Sequence, residues 1–201
     1  MKILFLTNNS ITKPLYNWLC ETKNYDVLLF FDRINLKFLE KINPDLIISY
    51  NYKHIIEEGV IQTYNNIINL HPSLLPWNRG ASPNFWSFIK DTPKGITIHL
   101  IDKGIDTGNI LLQKEIFFDE NLETLETSYK KLHIEIQKLF IENWENLKHF
   151  NINPVKQQGY STFHKRREFE KIKFIIGDNI YKIPIIELKQ ISRKIIDDYN
   201  R

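Results

Sequence analysis

Four short runs are apolar on both alternating faces: "KILFL" from Lys2, "DVLLFF" from Asp26, "PDLIISY" from Pro44 and "NIINLH" from Asn66. A strand with water on one side alternates apolar and polar residues. A strand that does not alternate must be covered on both sides. Helical stretches separate these runs: "TKPLYNWLCE" with Thr12 as a cap and Pro14 in the first turn, "LKFLEKI", and "KHIIEEGVIQ". Strand, helix, strand in this order predicts an α/β fold with a mostly parallel sheet and helices on both faces.

The pattern continues along the chain. Ser82-Pro83 opens a predicted helix, "SPNFWSFIKD". "GITIHLID" (Gly95 to Asp102) and "NILLQKEIFF" are predicted strands joined by "KGIDTG", and Leu122 to Phe150 reads as one long amphipathic helix. After Pro154 short strands and turns are expected. The last segment is expected to be helical, with Ile185, Leu188, Ile191, Ile195 and Tyr199 near one face. The expected division is a catalytic domain over 1–153 and a short C-terminal extension over 154–201 that offers a dimer contact.

In an open α/β sheet, ligands bind beyond the carboxyl ends of the strands. The fourth run ends there with "NLHPSLLPWNRGASPNFW", Asn69 to Trp86. Strand alternation places Asn69 and His71 on one face, with Leu70 opposite. A second constellation, "HLIDKGIDTGNIL" from His99, carries Asp102 and Asp106 among glycines that permit a tight loop. Asp102 suits loop bracing, and Asp106 can orient a histidine. An amide, an imidazole and a carboxylate together can stabilise an oxyanion, move a proton and support the charged imidazole. No serine or cysteine stands in a nucleophile elbow, which favours direct attack by an external nucleophile. "TNNSITKP" occupies the place after the first strand where a dinucleotide site needs G-x-G-x-x-G. The six histidines are scattered, so no metal site is expected.

A net charge of +3 without a dense basic stripe argues against a nucleic-acid surface. "HKRREFEK" from His164 reads as a solvated face. A single cysteine, Cys20, excludes a disulfide within the chain and is expected to be buried packing. The opening "MKILFLTNNS" is too short in its apolar run for a signal peptide, and no run is long enough to span a bilayer. No membrane association and a cytoplasmic location are expected.

"NLHPSLLPWNRGASPN" followed by "KGITIHLIDKGIDTGNILLQKEI" resembles the folate-dependent formyltransferases, in the order N-x-H-x-S-x-L-P…G and then D-x-G-x-D-x-G. The resemblance implies a Rossmann-like formyltransferase fold and a catalytic triad of Asn69, His71 and Asp106. It implies a cis Leu75-Pro76 bond and N10-formyltetrahydrofolate as formyl donor. The pterin would lie against backbone near Lys53, His54 and Ile55 and near Ile101, Asp102, Lys103, Gly104 and Ile105.

Within that family the glycinamide ribonucleotide enzymes carry a Gly/Ser-rich phosphate loop after the first strand, which "TNNSITKPL" lacks. The methionyl-tRNA enzymes carry a basic C-terminal domain of about 100 residues, a full domain's worth. "PWNRGASPNFWSF" and "GYSTFHKRREFEKI" resemble the sugar-nucleotide N-formyltransferases acting on dTDP-linked amino sugars of O-antigen or similar glycans. The acceptor expected first is dTDP-4-amino-4,6-dideoxyglucose, with Trp77, Asn78, Arg79 and Asn84 lining its pocket. Tyr160, His164, Lys165 and Arg166 are weaker candidates for nucleotide contacts. A homodimer is expected. The alternatives are a methionyl-tRNA formyltransferase-like enzyme, a formyltetrahydrofolate hydrolase and, least favoured, an inactive folate-binding module.

Overall fold

The computed structural model describes residues 1–21 and 25–199. The chain divides into two compact units interleaved in sequence. The first comprises Met1–His71, Thr97–Leu112 and Ile136–Gln157; the second comprises Pro72–Ile96, Gln113–Glu135 and Gln158–Arg201.

The first unit holds the predicted strands β1 (Lys2–Leu6), β2 (Asp26–Phe30), β3 (Leu46–Tyr50) and β4 (Ile67–His71). β5 is a two-residue strand in the second unit (Arg79–Gly80). β6 (Gly95–Leu100) and β7 (Ile110–Glu115) complete a six-stranded sheet of order β2-β1-β3-β4-β6-β7. The pairs β1–β2, β1–β3 and β3–β4 are parallel, while β6 runs antiparallel to β4. The sheet is therefore mostly parallel, as the unbroken apolar runs require. The reversal at β6 leaves no mark on hydrophobic periodicity, because strand direction does not change which residues face the core.

One face of this sheet packs Leu4, Leu6, Ile47 and Ile67 against Leu39 and Val60. Leu39 comes from α2 (Leu36–Ile42) and Val60 from α3 (Glu58–Thr63). Asn35 caps α2 by accepting from the Phe38 N–H at 2.9 Å, and Asn43 closes it in the left-handed region. Helix α1 (Lys13–Glu21) follows a short 3-10 turn over Ser10–Thr12. The side chain of Asn9 caps that turn, and Thr12 is buried with its hydroxyl donating to the Asn9 carbonyl at 2.8 Å. Leu15 and Leu19 are the buried residues of α1, so the next position, Cys20, turns outward. Cys20 is exposed, against the expectation of buried packing.

Two further expectations are corrected here. Residues 53–57 are loop, and only Glu58–Thr63 of "KHIIEEGVIQ" is helical. The Lys53 N–H is drawn away to the side chain of Asn8 at 2.9 Å. The long helix expected over Leu122 to Phe150 is two helices, α5 (Leu125–Glu142) and α6 (Trp144–Lys148). The break falls at Asn143, whose side chain donates to the Leu139 carbonyl at 2.9 Å, the local competition with helix bonding that Asn favours.

In the second unit, α4 (Pro83–Ile89) packs with α7 (Arg166–Ile176) and α8 (Ile185–Tyr199). Their core is Phe85, Trp86, Phe88, Ile89, Phe169, Ile172, Ile185 and Leu188, with Leu125 and Ile180. Strand β8 (Phe163–His164) pairs in parallel with β5. Of the short strands and turns expected after Pro154, β8 and a bridge at Val155 form, but Arg166–Ile176 is an eleven-residue helix instead. Phe169, Ile172 and Ile176 recur at helical spacing within "RREFEKIKFII", and the abundant charges obscure that stripe. Glu168 folds back to accept from the Lys165 N–H at 2.6 Å, and Gly177 ends the helix with φ 80°. Ile185 and Leu188 of the C-terminal stripe are buried within this unit and Ile195 packs against the same core, while the side chain of Tyr199 lies outside the described residues. Among the described residues no helix is long and apolar enough to cross a membrane.

Candidate active site

β4 ends in Asn69-Leu70-His71, and the antiparallel ladder pairs Asn69 with His99 and His71 with Thr97. This register brings a second imidazole to the strand end. His99 is 1% exposed. Its Nδ1 lies 2.7 Å from the Leu100 carbonyl, an acceptor only, so Nδ1 carries the proton. In the neutral ring Nε2 is then an acceptor, and it takes an N–H from the Asn69 amide at 3.1 Å. That bond fixes which end of the amide faces His99.

The loop between β6 and β7 delivers Asp106 to the same place. Its Oδ1 lies 3.7 Å from His71 Nδ1, 3.6 Å from His99 Nε2 and 3.4 Å from the Asn69 Nδ2 donor. The His71 and His99 rings meet edge to face at 6.2 Å. His71 is 5% exposed, so the group sits where water screens its interactions weakly. Asn69, His71 and Asp106, separated by up to 37 positions in sequence, converge as the motif requires.

The loop holding Asp106 is built tightly. Asp102 Oδ1 accepts from the Gly104 N–H at 3.0 Å and from the Thr107 hydroxyl at 2.5 Å. Asp106 adopts φ 54°, a conformation that Asp tolerates at modest cost. A Cβ on Gly104 would lie 2.0 Å from Thr107 Oγ1, and one on Gly108 would lie 1.8 Å from the Leu100 carbonyl oxygen. Both glycines are needed for this close approach. Asp102 thus braces the loop, as its place in the motif suggested.

The residues expected at the pterin lie in the same unit. Lys53 and Ile55 are exposed and His54 is half-buried, its Nε2 3.2 Å from the Phe31 carbonyl. Asn8 stitches this segment to the end of β2, accepting from the Lys53 N–H at 2.9 Å and donating to the Phe31 carbonyl at 2.8 Å. Tyr52 donates to the Asp32 carbonyl at 2.5 Å, and burial holds its phenol above the ordinary value. On the other loop Lys103, Gly104 and Ile105 are exposed, Asp102 is half-buried and Ile101 packs onto the core. Ile55 and Ile105 are apolar side chains left open, 76% and 47% exposed.

The acceptor-side residues lie in the second unit. Trp77 rests against Tyr160 with ring centres 5.5 Å apart, and Arg79 reaches the Ser161 hydroxyl at 3.3 Å. Leu75-Pro76 is cis. Asn78 is fully buried, with its amide donating to Thr92 Oγ1 at 2.7 Å and its backbone N–H to Thr162 Oγ1 at 2.7 Å. Asn84 is buried too, donating to the Leu125 carbonyl and Ser128 Oγ, both at 3.1 Å. The Asn78 amide is thus committed to holding the loop that carries Trp77 and Arg79, and the Asn84 amide to holding α4 against α5. His164 lies flat on Trp86 at 4.3 Å, and burial lowers its pKa. Lys165 and Arg166 begin α7 on the exposed side.

Two residues near Asp106 carry no role in the sequence reading. His99 stands inside the quoted motif, and its alternation with Thr97 was the available signal. Gln157, which donates to the Asp106 and Gly108 carbonyls at 2.9 and 2.8 Å, had none.

Residues 9–143 match the sequence family described as Formyl transferase. The chain is 38% identical over 154 residues to methionyl-tRNA formyltransferase from Clostridium botulinum (strain Alaska E43 / Type E3), covering 76% of this chain and 50% of that protein. It is 37% identical over 130 residues to the Thermodesulfovibrio yellowstonii methionyl-tRNA formyltransferase, covering 64% of this chain and 42% of that one. The chain thus spans half or less of the length of these curated relatives. Among solved structures it resembles the formyltransferase PseJ from Anoxybacillus kamchatkensis, crystallised with UDP-4,6-dideoxy-4-formamido-L-AltNAc and tetrahydrofolate. The TM-score is 0.84 at 39% identity, covering 94% of this chain and 97% of that one. A 4-N formyltransferase from Francisella tularensis shares the fold, with a TM-score of 0.76 at 23% identity over 85% of this chain and 78% of that one. With the motif, the sheet order and the matched residues in agreement, the chain belongs to the formyl transferase family.

Proposed function

We propose that this chain transfers a formyl group from N10-formyltetrahydrofolate to the 4-amino group of a 4-amino-4,6-dideoxyhexose carried on a nucleoside diphosphate. The observation that carries the reading is the convergence of Asn69, His71 and Asp106 at the end of β4. The donor supplies an electrophilic formyl carbon bonded to its N10 nitrogen. The open side chains of Ile55 and Ile105 and the exposed backbone of 103–105 suit a flat ring that needs apolar cover and backbone hydrogen bonds.

In this reading the neutral amine of the acceptor attacks the formyl carbon. Asn69 donates an N–H to the oxygen as negative charge develops there. His71 accepts the proton that the amine loses and returns a proton to N10 as the carbon–N10 bond breaks. Asp106 faces Nδ1 of His71, keeps the imidazole oriented and favours its charged form. The products are a formamide and tetrahydrofolate, and no covalent enzyme intermediate is needed.

The acceptor class draws support from PseJ, which matches this chain nearly end to end and was crystallised with a UDP-linked 4-formamido sugar. The sequence motifs pointed to a dTDP sugar, so the nucleotide is tested with both bases, uridine first. Trp77 offers a ring and Arg79 a guanidinium for the nucleotide. Asn78, bonded through its amide and its backbone N–H, positions the segment that holds them. Self-association as a homodimer belongs to the same reading, and light scattering measures it.

The test is a formyl-transfer assay with UDP- and dTDP-linked 4-amino sugars, with methionyl-tRNA and with no acceptor, the product being identified by mass. Formylation of a sugar nucleotide supports the proposal. Formylation of the tRNA would replace it, and folate cleavage indifferent to acceptor would indicate a hydrolase.

A further inference from the structure

Asp106 is braced from inside its loop by Asp102, which ties down Gly104 and Thr107. A side chain 51 positions away holds the same turn from outside. The Gln157 amide nitrogen donates to the Asp106 carbonyl at 2.9 Å and to the Gly108 carbonyl at 2.8 Å. Both neighbours are acceptors, so the NH₂ end of the amide must face them. Gln157 is delivered by a short antiparallel bridge just before it, in which Val155 and Ile110 exchange two backbone hydrogen bonds, each 2.8 Å.

We propose that Gln157 is a positioning residue that clamps the Asp106 loop so that the carboxylate faces His71. The Asp106 carbonyl belongs to the peptide plane that follows Asp106, so anchoring it restrains that residue's ψ. Anchoring Gly108 fixes the far side of the same turn. Asp106 sits in left-handed backbone, which a loop without restraint abandons for commoner conformations. Its contact with His71 is long, at 3.7 Å. A further displacement of about an ångström removes it, and misplacement on that scale can cost about 10²-fold in rate. Two neutral hydrogen bonds restrain the turn only partly, so a loss nearer 10-fold is expected.

This inference rests on the formyl-transfer reading, and its test separates the two. Gln157→Ala, Gln157→Lys and, as control, Gln158→Ala are compared with the full chain for kcat, for KM of both substrates and for amide hydrogen exchange over 104–109. Gln157→Ala is expected to lower kcat about 10-fold with both KM values within about twofold, and to speed exchange in that loop alone. Gln157→Lys keeps a donor and is expected to recover most of the rate, and the control to behave as the parent. An unchanged kcat in Gln157→Ala overturns the proposal, as does unchanged exchange in the loop. If the parent transfers no formyl group, the formyl-transfer reading fails on that result alone, and loop exchange still decides whether Gln157 is a clamp. If Gln157→Ala fails to fold, a folded Gln157→Lys with kcat about 10-fold or more below the parent would also overturn it.

Discussion

Asn69 and His99 are partners across the antiparallel β4–β6 ladder, and the amide nitrogen of the first donates to Nε2 of the second at 3.1 Å. A histidine committed through Nδ1–H to a backbone carbonyl thus acts as a fixed acceptor, so the sheet itself aims the amide. In the proposed reaction one Asn69 N–H reaches the developing oxyanion while the amide stays oriented.

Asn69→Ala removes that donor. The expected result is a kcat lower by about 10²–10³ with a smaller change in KM, because the bond strengthens as charge develops. Steady-state kinetics on protein whose circular dichroism matches the parent checks it, and turnover within twofold of the parent would contradict the assigned role.

His99→Phe leaves the Leu100 carbonyl without its donor and the Asn69 amide without its acceptor. A loss of about 1–3 kcal/mol in stability is expected. A roughly 10-fold lower kcat should follow, since a misaligned oxyanion donor loses part of its effect. His99→Gln can accept and donate and should retain more activity than His99→Phe. Equal activity in the two variants would show that Asn69 is held in place by other contacts.

Gly108→Ala places a methyl carbon 1.8 Å from the Leu100 carbonyl oxygen. Backbone cannot yield as a flexible side chain does, so the loop must move. A destabilisation of about 3 kcal/mol and loss of most activity are expected. Thermal melting and the transfer assay measure both, and a variant melting with the parent would mean that the turn is wider in solution.

His133, on α5, is fully buried, and desolvation lowers its pKa to about 3. The folded value lies below the ordinary one near 6.5, so between the two the unfolded chain binds a proton that the native state refuses. The stability linked to His133 is therefore complete above the unfolded pKa and is lost as pH falls through that window. It amounts to roughly 4–5 kcal/mol in all. Urea unfolding at a series of pH values should show a steep acid decline that is flatter in His133→Gln. Parallel declines in the two proteins would assign the acid sensitivity to other groups.

Apolar runs unbroken by polar alternation require strands covered on both faces, and from Lys2 to His71 that was enough to place β1 to β4 and a mostly parallel sheet. The two motifs marked Asn69, His71 and Asp106 because residue type, spacing and flanking glycine or proline are local properties. Where a charged stretch hid a helical stripe, as over Arg166–Ile176, or an asparagine broke a helix, as at Asn143, local reading went astray.

What only the folded chain decided is which distant residues share a bond. The register of β6 on β4 put His99 opposite Asn69, and the Val155–Ile110 bridge set Gln157 on the Asp106 loop. Internal bonding turned Asn78 and Asn84 inward, where sequence had offered them as substrate contacts. Periodicity records how each segment meets the core, whereas these pairings depend on register between segments far apart in the chain. Register is settled only when the whole sheet and its loops close their hydrogen bonds together.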